Sequence, residues 1–437
     1  MEIFSSYNLI IEVSLVLILS FIFNGIAKKT KIPAVLMLII LGVVIQYAIK
    51  AFGEGSFNFF PMLEVLGIIG LIMIVLEAAL ELKLKREKLV PILKSLAIAL
   101  IGLVASAYVA AVVLKALIDG MTMQSALLYA TPLSILSSAI IIPSVAGLSE
   151  AKKEFHVYES TFSDILGIMM FYFLTGKLNP AEDAGVAGFA FNLILTIIIS
   201  LIASYGIILI FQKIKSQVKL FLLISVLLLL YGLGKKMHLS SLIIILIFGL
   251  VIANMKLFFQ WKLENLLDYE KAKAIYHELH VITAETAFVV RTLFFVIFGI
   301  TITLSSLLNL KVALISILII ISIYAIRYVL LRIFVGKDIS PQLFIAPRGL
   351  ITVLLFYAIP AEAIIPGFEP GILLFVIIGT SLIMTGGMIR DKSTNEDELT
   401  PEQIEEAANA EVAYIMDTTT DLSEIEHSSD EEGETPE

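Results

Sequence analysis

Cysteine is absent from the 437 residues, which excludes disulfides, thiolate metal sites, iron–sulfur clusters and cysteine nucleophiles. Histidine is scarce: there are five, scattered without the spacing that holds a metal. No Gly-x-Gly-x-x-Gly turn, Gly-x-Ser-x-Gly elbow or His-Glu-x-x-His helix occurs, so neither a nucleotide-binding domain nor the nucleophile and base of an enzyme is in view. A repeated pore loop or a Thr-Val-Gly-Tyr-Gly filter is also missing, which leaves an ion channel as a remote alternative. Charge itself is thin. Only 16% of residues are charged and 59% are hydrophobic, whereas a water-soluble domain is near half apolar and about a quarter charged. The chain reads as an integral membrane protein, not an enzyme, with a lipid bilayer around it and no cofactor or nucleic-acid partner.

The net charge of -9 comes from one end. Acid is concentrated after Asp391 (NEDELTPEQIEEA, DLSEIEHSSDEEGETPE), a composition expected to stay largely disordered in water. Residues 1–390 are therefore expected to form the transmembrane domain and 391–437 an acidic tail.

About thirteen apolar runs have the length that crosses a hydrocarbon core. They lie near 8–27, 33–49, 62–82, 91–118, 123–148, 155–174, 189–211, 220–233, 239–254, 281–304, 312–334, 342–361 and 371–389. The first has no Ala-x-Ala-like cleavage site and its basic residues follow the apolar stretch, so it is read as a retained helix. One alternate set of loops holds Lys28, Lys29 and Lys31, then Lys83 to Lys88, Lys152 and Lys153, and onward to Arg390 and Lys392. The positive-inside rule makes that set cytoplasmic, so the N-terminus is expected outside and the acidic tail inside. Trp261, in "FFQWKLENLLDYEKAKAIYHELH", is expected to anchor an amphipathic cytoplasmic helix at the membrane interface.

Two spans make poor membrane helices. "YATPLSILSSAIIIPSV" carries Pro132, Pro143 and the hydroxyls of Thr131, Ser134, Ser137 and Ser138; "FIAPRGLITVLLFYAIP" carries Pro347, Arg348, Gly349 and Pro360. Proline frees backbone carbonyls at membrane depth, which is tolerated where they line a cavity. These are the fifth and twelfth runs. If runs one to six (8–174) repeat as eight to thirteen (220–389) in inverted topology, the interrupted helices correspond, which is the sequence pattern of a secondary transporter's binding site. The fold expected is an all-α polytopic bundle of two inverted six-helix repeats with two discontinuous core helices.

The sixth run opens with "YESTFSDILG". An ionisable residue inside a span costs several kcal/mol or more, so it faces a cavity or a partner. Asp164 is the strongest such residue. Ser160, four residues earlier, can share its helix face, whereas Glu159 sits well round the helix. Glu77, Glu81, Glu285, Arg291, Arg327 and Arg348 are further intramembrane charges, for which ion pairs are expected, among them Glu77 or Glu285 with Arg291 or Arg348.

"ESTFSD" resembles the Glu-Ser-x-x-Asn-Asp signature of sodium/proton exchangers in the monovalent cation:proton antiporter superfamily. "LGIIGLIMIVLEAALELKLKREKL", "FVVRTLFFVIFGI", "AIRYVLLRIF" and "APRGLITVLLF" resemble further segments of that family, in the family's order. The resemblance implies exchange of a monovalent cation, Na+ or Li+ before K+, for a proton in a bacterial or archaeal cell membrane, by a homodimer. It makes Asp164 the ion-binding and proton-carrying group, with Ser160 and Glu159 beside it and Arg327 paired to Glu159. Thr131, or the Ser134, Ser137 and Ser138 group, would complete the cation's shell. The Na+ ligands it implies are Asp164, Ser160 and Thr131. Ser163 stands where the family has asparagine, and "TPLS" where many relatives have Thr-Asp-Pro, which puts ion choice in question. Because Ser163 cannot titrate in this range, a one-for-one electroneutral exchange is expected.

Overall fold

The computed structural model describes residues 2–30, 32–52, 60–84, 86–145, 147–177, 185–214, 219–236, 241–260, 266–301, 306 and 309–398. The described residues are helical with no strand. In chain order the helices are α1 (Glu2–Thr30), α2 (Ala34–Phe52), α3 (Phe60–Glu81), α4 (Leu89–Leu117), α5 (Met123–Ser134), α6 (Ser138–Ser144), α7 (Glu150–Gly176) and α8 (Gly185–Phe211). They continue as α9 (Lys219–Lys236), α10 (Ser241–Ala253), α11 (Met255–Phe258), α12 (Tyr269–Thr301), α13 (Leu310–Phe334), α14 (Leu350–Tyr357) and α15 (Gly371–Glu398). Each of the apolar runs marked in the sequence carries one or two of them. Trp261 and residues 399–437 lie outside the described residues.

Among the described residues six spans are long and apolar enough to cross a membrane: α4, Met123–Ser144, Phe191–Phe211, α12, α13 and Gly371–Asp391. Three others fall short for physical reasons. α10 is apolar throughout but 13 residues long, α9 carries Lys219, Lys235 and Lys236, and α7 carries the charges of its opening turns together with Glu159 and Asp164. α15 also runs on to Glu398, past the boundary at Asp391 drawn from composition. The contacts set residues from Gly387 onward apart as a second unit.

Within the first unit the helices sort into two packing groups. α2, α3 and α10 pack with α12 and α8 in one; α4, α5, α6, α7, α13 and α14 pack together in the other, and the groups meet where α3 touches α7 and α14. Small residues allow the closest crossing in the first group. A Cβ on Gly42 of α2 would lie 2.8 Å from the Cα of Gly299 on α12, so both positions require glycine for backbone contact. Outward-facing aliphatic side chains such as Ile202 and Ile321 are exposed, as helices facing hydrocarbon require.

The second group is built round two interruptions. α5 stops at Ser134 and α6 starts at Ser138, with Ile135 and Ser137 extended between them. The partner segment differs from the two-part helix the sequence suggested. Residues 340–344 form turns and 345–349 have no regular structure, so helix exists only as α14. Pro347 supplies no N–H and disfavours helix at the residue before it, which explains the asymmetry. The two irregular segments cross, and the Ser137 N–H donates to the Pro347 carbonyl at 2.9 Å. Gly349 allows the contact, because a Cβ there would press on the Ser137 side chain.

Candidate functional site at the crossed helices

α7 lies against the crossing and presents different chemistry on two sides. Thr161, Asp164, Ile165 and Ile168, spaced as one helix face, line a cavity of about 20 Å³ closed by aliphatic side chains of α3 and α10 and by Ile351. Glu159 and Ser163 line a second cavity of about 30 Å³ with Arg327, Arg348, Ser106 and Ser134. Asp164 and Glu159 therefore face separate spaces.

Asp164 is 3% exposed. Ser138, the first residue of α6, brings its hydroxyl and its N–H towards the carboxylate. Neither oxygen closes a hydrogen bond of ordinary geometry among the described residues. A buried carboxylate left this open is costly unless something else binds it.

Glu159, 1% exposed, is gripped by Arg327 of α13 through Nη1 to Oε1 at 2.6 Å and Nη2 to Oε2 at 3.0 Å. Arg327 Nε also donates to the Gln342 carbonyl at 3.0 Å, tying α13 to the second irregular segment. His156, wholly buried, stands with Nδ1 3.5 Å from Glu159 Oε2. The sequence did not single it out, although its position one turn before Glu159 places it on the same side of the helix.

Arg348 forms no ion pair among the described residues. Its Nε donates to Leu133 O at 2.9 Å, Nη2 to Ser134 O at 3.1 Å and Nη1 to Ala346 O at 2.6 Å. The guanidinium thus takes up carbonyls that the end of α5 leaves without helical partners. A cation beside the C-terminus of a helix is also favoured by its dipole. Arg291 reaches Glu77 at 3.0 Å and Ala139 O at 3.1 Å. Of the two alternatives for pairing Arg291, Glu77 is the one that meets it; Glu285 lies exposed on α12 and far round that helix from Arg291.

The hydroxyls divide similarly. Thr131 bonds to Leu127 O at 2.7 Å, Ser134 to Ala130 O at 2.9 Å and Ser160 to His156 O at 2.7 Å, each four residues back on its own helix. Ser163 Oγ accepts the Leu136 N–H at 3.0 Å, which fastens α7 to the unwound residues between α5 and α6. Gly167 makes room there, since a Cβ would strike the Ile135 side chain. Thr161 was missed in the sequence; its signal was the three-residue spacing from Asp164. Among the described residues no group of three His, Asp or Glu side chains is placed to hold a metal ion.

A family model described as "Sodium/hydrogen exchanger, transmembrane" matches residues 14–390. No curated protein matches the chain. The fold is similar to that of the sodium proton antiporter MjNhaP1 from Methanocaldococcus jannaschii at pH 8, with a TM-score of 0.64 and 20% identity over 90% of this chain and 100% of that one. A second structure of the same antiporter, from an electron-microscopy map, gives 0.63 and 20% over 90% and 99%.

Proposed function

The chain belongs to the sodium/hydrogen exchanger family, and on that premise we propose that it exchanges Na+ or Li+ for a proton, one for one, by alternating access at Asp164. The observation that carries this is the Asp164 carboxylate, buried at the crossing with no closed hydrogen bond. A hard cation takes oxygen ligands, and a carboxylate with nearby hydroxyls and freed carbonyls supplies them. The same carboxylate takes a proton instead. Competition for one group, with the cavity opening to either side in turn, produces antiport.

Charge supports the stoichiometry. The formally charged acidic and basic side chains buried in the described protein are Glu159, Asp164, Arg327 and Arg348, two of each sign. A proton or a monovalent cation on Asp164 raises that sum equally, so the loaded carrier has one charge in both directions. Ser163 adds no second exchangeable proton.

The arrangement we infer around this site has thirteen spans, with 8–174 and 220–389 as inverted repeats. The N-terminus is outside and the 391–437 tail inside a bacterial or archaeal cell membrane, and two copies associate. K+/H+ exchange is the second reading, favoured by the same site because carboxylate and hydroxyl oxygens also bind K+. Reconstituted protein with an imposed pH gradient, given Na+, Li+ and K+ in turn, tests both. Sodium or lithium should dissipate the gradient most effectively. Dissipation by K+ alone would select the second reading, and none by any cation would overturn antiport.

A further inference from the structure

Side-chain hydroxyls in helices normally bond to a carbonyl one turn back. On α7, Ser160 and Thr175 do so, at 2.7 Å each. Thr161 does not: it is wholly buried, and its Oγ1 has no hydrogen-bond partner among the described residues. An orphaned buried hydroxyl costs stability, and replacing it by a methyl group would remove that cost. Thr161 and Asp164 are also the two polar side chains that line the 20 Å³ cavity, whose other walls are aliphatic. Their three-residue spacing sets both on one face of the helix. A space of that size holds about one water molecule, so a cation entering it sheds most of its hydration shell. Fixed oxygens must replace those waters.

We infer that Thr161 Oγ1 is a direct ligand of the transported cation, beside Asp164, and favours Na+ and Li+ over K+. The inference rests on the antiport reading and adds to it a ligand outside the set implied by the family signature. Smaller monovalent cations hold their water more tightly and so depend more on a hard oxygen replacing it. A proton bound to Asp164 does not need the hydroxyl.

The test compares wild-type protein with Thr161→Val, which keeps the shape and removes the oxygen, and Thr161→Ser, which restores it. In proteoliposomes the apparent KM for Na+ and Li+ should rise about tenfold or more in the valine variant, the worth of one good polar contact. The KM for K+ should rise less, and serine should return the Na+ value towards wild type. Thermal unfolding in detergent should show the valine variant at least as stable as wild type, an outcome that a structural hydroxyl would not give. An unchanged Na+ KM in a folded Thr161→Val variant overturns the inference. Failure of that variant to fold also overturns it, because the hydroxyl would then have a structural bond to lose. Absence of cation-coupled proton movement in the wild type would instead overturn the antiport reading, so the two failures are distinct.

Discussion

Arg327 holds both carboxylate oxygens of Glu159, at 2.6 and 3.0 Å, with the two side chains 7% and 1% exposed. The pair joins α7 to α13, and through Arg327 Nε to Gln342 O it reaches the second irregular segment as well. Breaking a buried pair by removing one partner strands the other in a poor dielectric, at ~3–5 kcal/mol. Glu159→Gln and Arg327→Met should each lower the unfolding temperature in detergent strongly. The double variant should lose far less than the sum of the two. Additive losses would show that the two groups act independently.

Arg348 predicts a different pattern. Its three guanidinium nitrogens each donate to a carbonyl, of Leu133, Ser134 and Ala346, and an ammonium cannot reproduce that fork. Arg348→Lys should therefore destabilise the protein by about 1.5–3 kcal/mol for each charged hydrogen bond lost. It should also weaken exchange, because the crossing beside Asp164 loosens. Wild-type stability and rate in this variant would mean that the carbonyls are satisfied some other way.

Gly42→Ala tests the helix crossing on the other side of the molecule. The added methyl meets the Val296 carbonyl and the Gly299 backbone, neither of which can rotate away. Overpacking of this kind costs ~1–3 kcal/mol, to be read as a drop in unfolding temperature with the buried site untouched. An unshifted melting curve would contradict the closeness of α2 and α12.

Helix positions and the special character of the two proline-bearing segments were legible from the sequence, because apolar length and proline chemistry act locally. The Glu159–Arg327 pair was expected from the resemblance to the exchanger family; the cost of charge in hydrocarbon required a partner for each without saying which. Other features depend on three-dimensional packing. The role of Arg348 as a binder of carbonyls arises only once α5 ends against it. The separation of Glu159 and Asp164 into two cavities depends on which neighbours α7 meets. Thr131, Ser134 and Ser160 are hydroxyls of the expected type, but their hydrogen bonds to their own helices are fixed by rotamers that spacing does not encode. Thr161, at an equally ordinary position, differs from them in making no such bond and in lining the cavity with Asp164.

The proposed electroneutral exchange rests on Asp164 being the one carboxylate that exchanges protons, and a membrane potential tests it. Each net charge moved would couple at ~2.3 kcal/mol per 100 mV. With a potassium–valinomycin potential across proteoliposomes, the Na+-driven pH change should be the same at either polarity. A rate or end point that follows the potential would mean that a second group exchanges protons, with Glu159 the first to examine.

The central claim is that Asp164 carries cation and proton by turns, and its most direct test is Na+-driven dissipation of a pH gradient by reconstituted Asp164→Asn protein. Asparagine keeps an oxygen and the volume but cannot exchange a proton. In a variant that elutes and melts like wild type, exchange should fall to the rate of protein-free vesicles. Exchange at the wild-type rate would remove Asp164 from the mechanism and contradict the account.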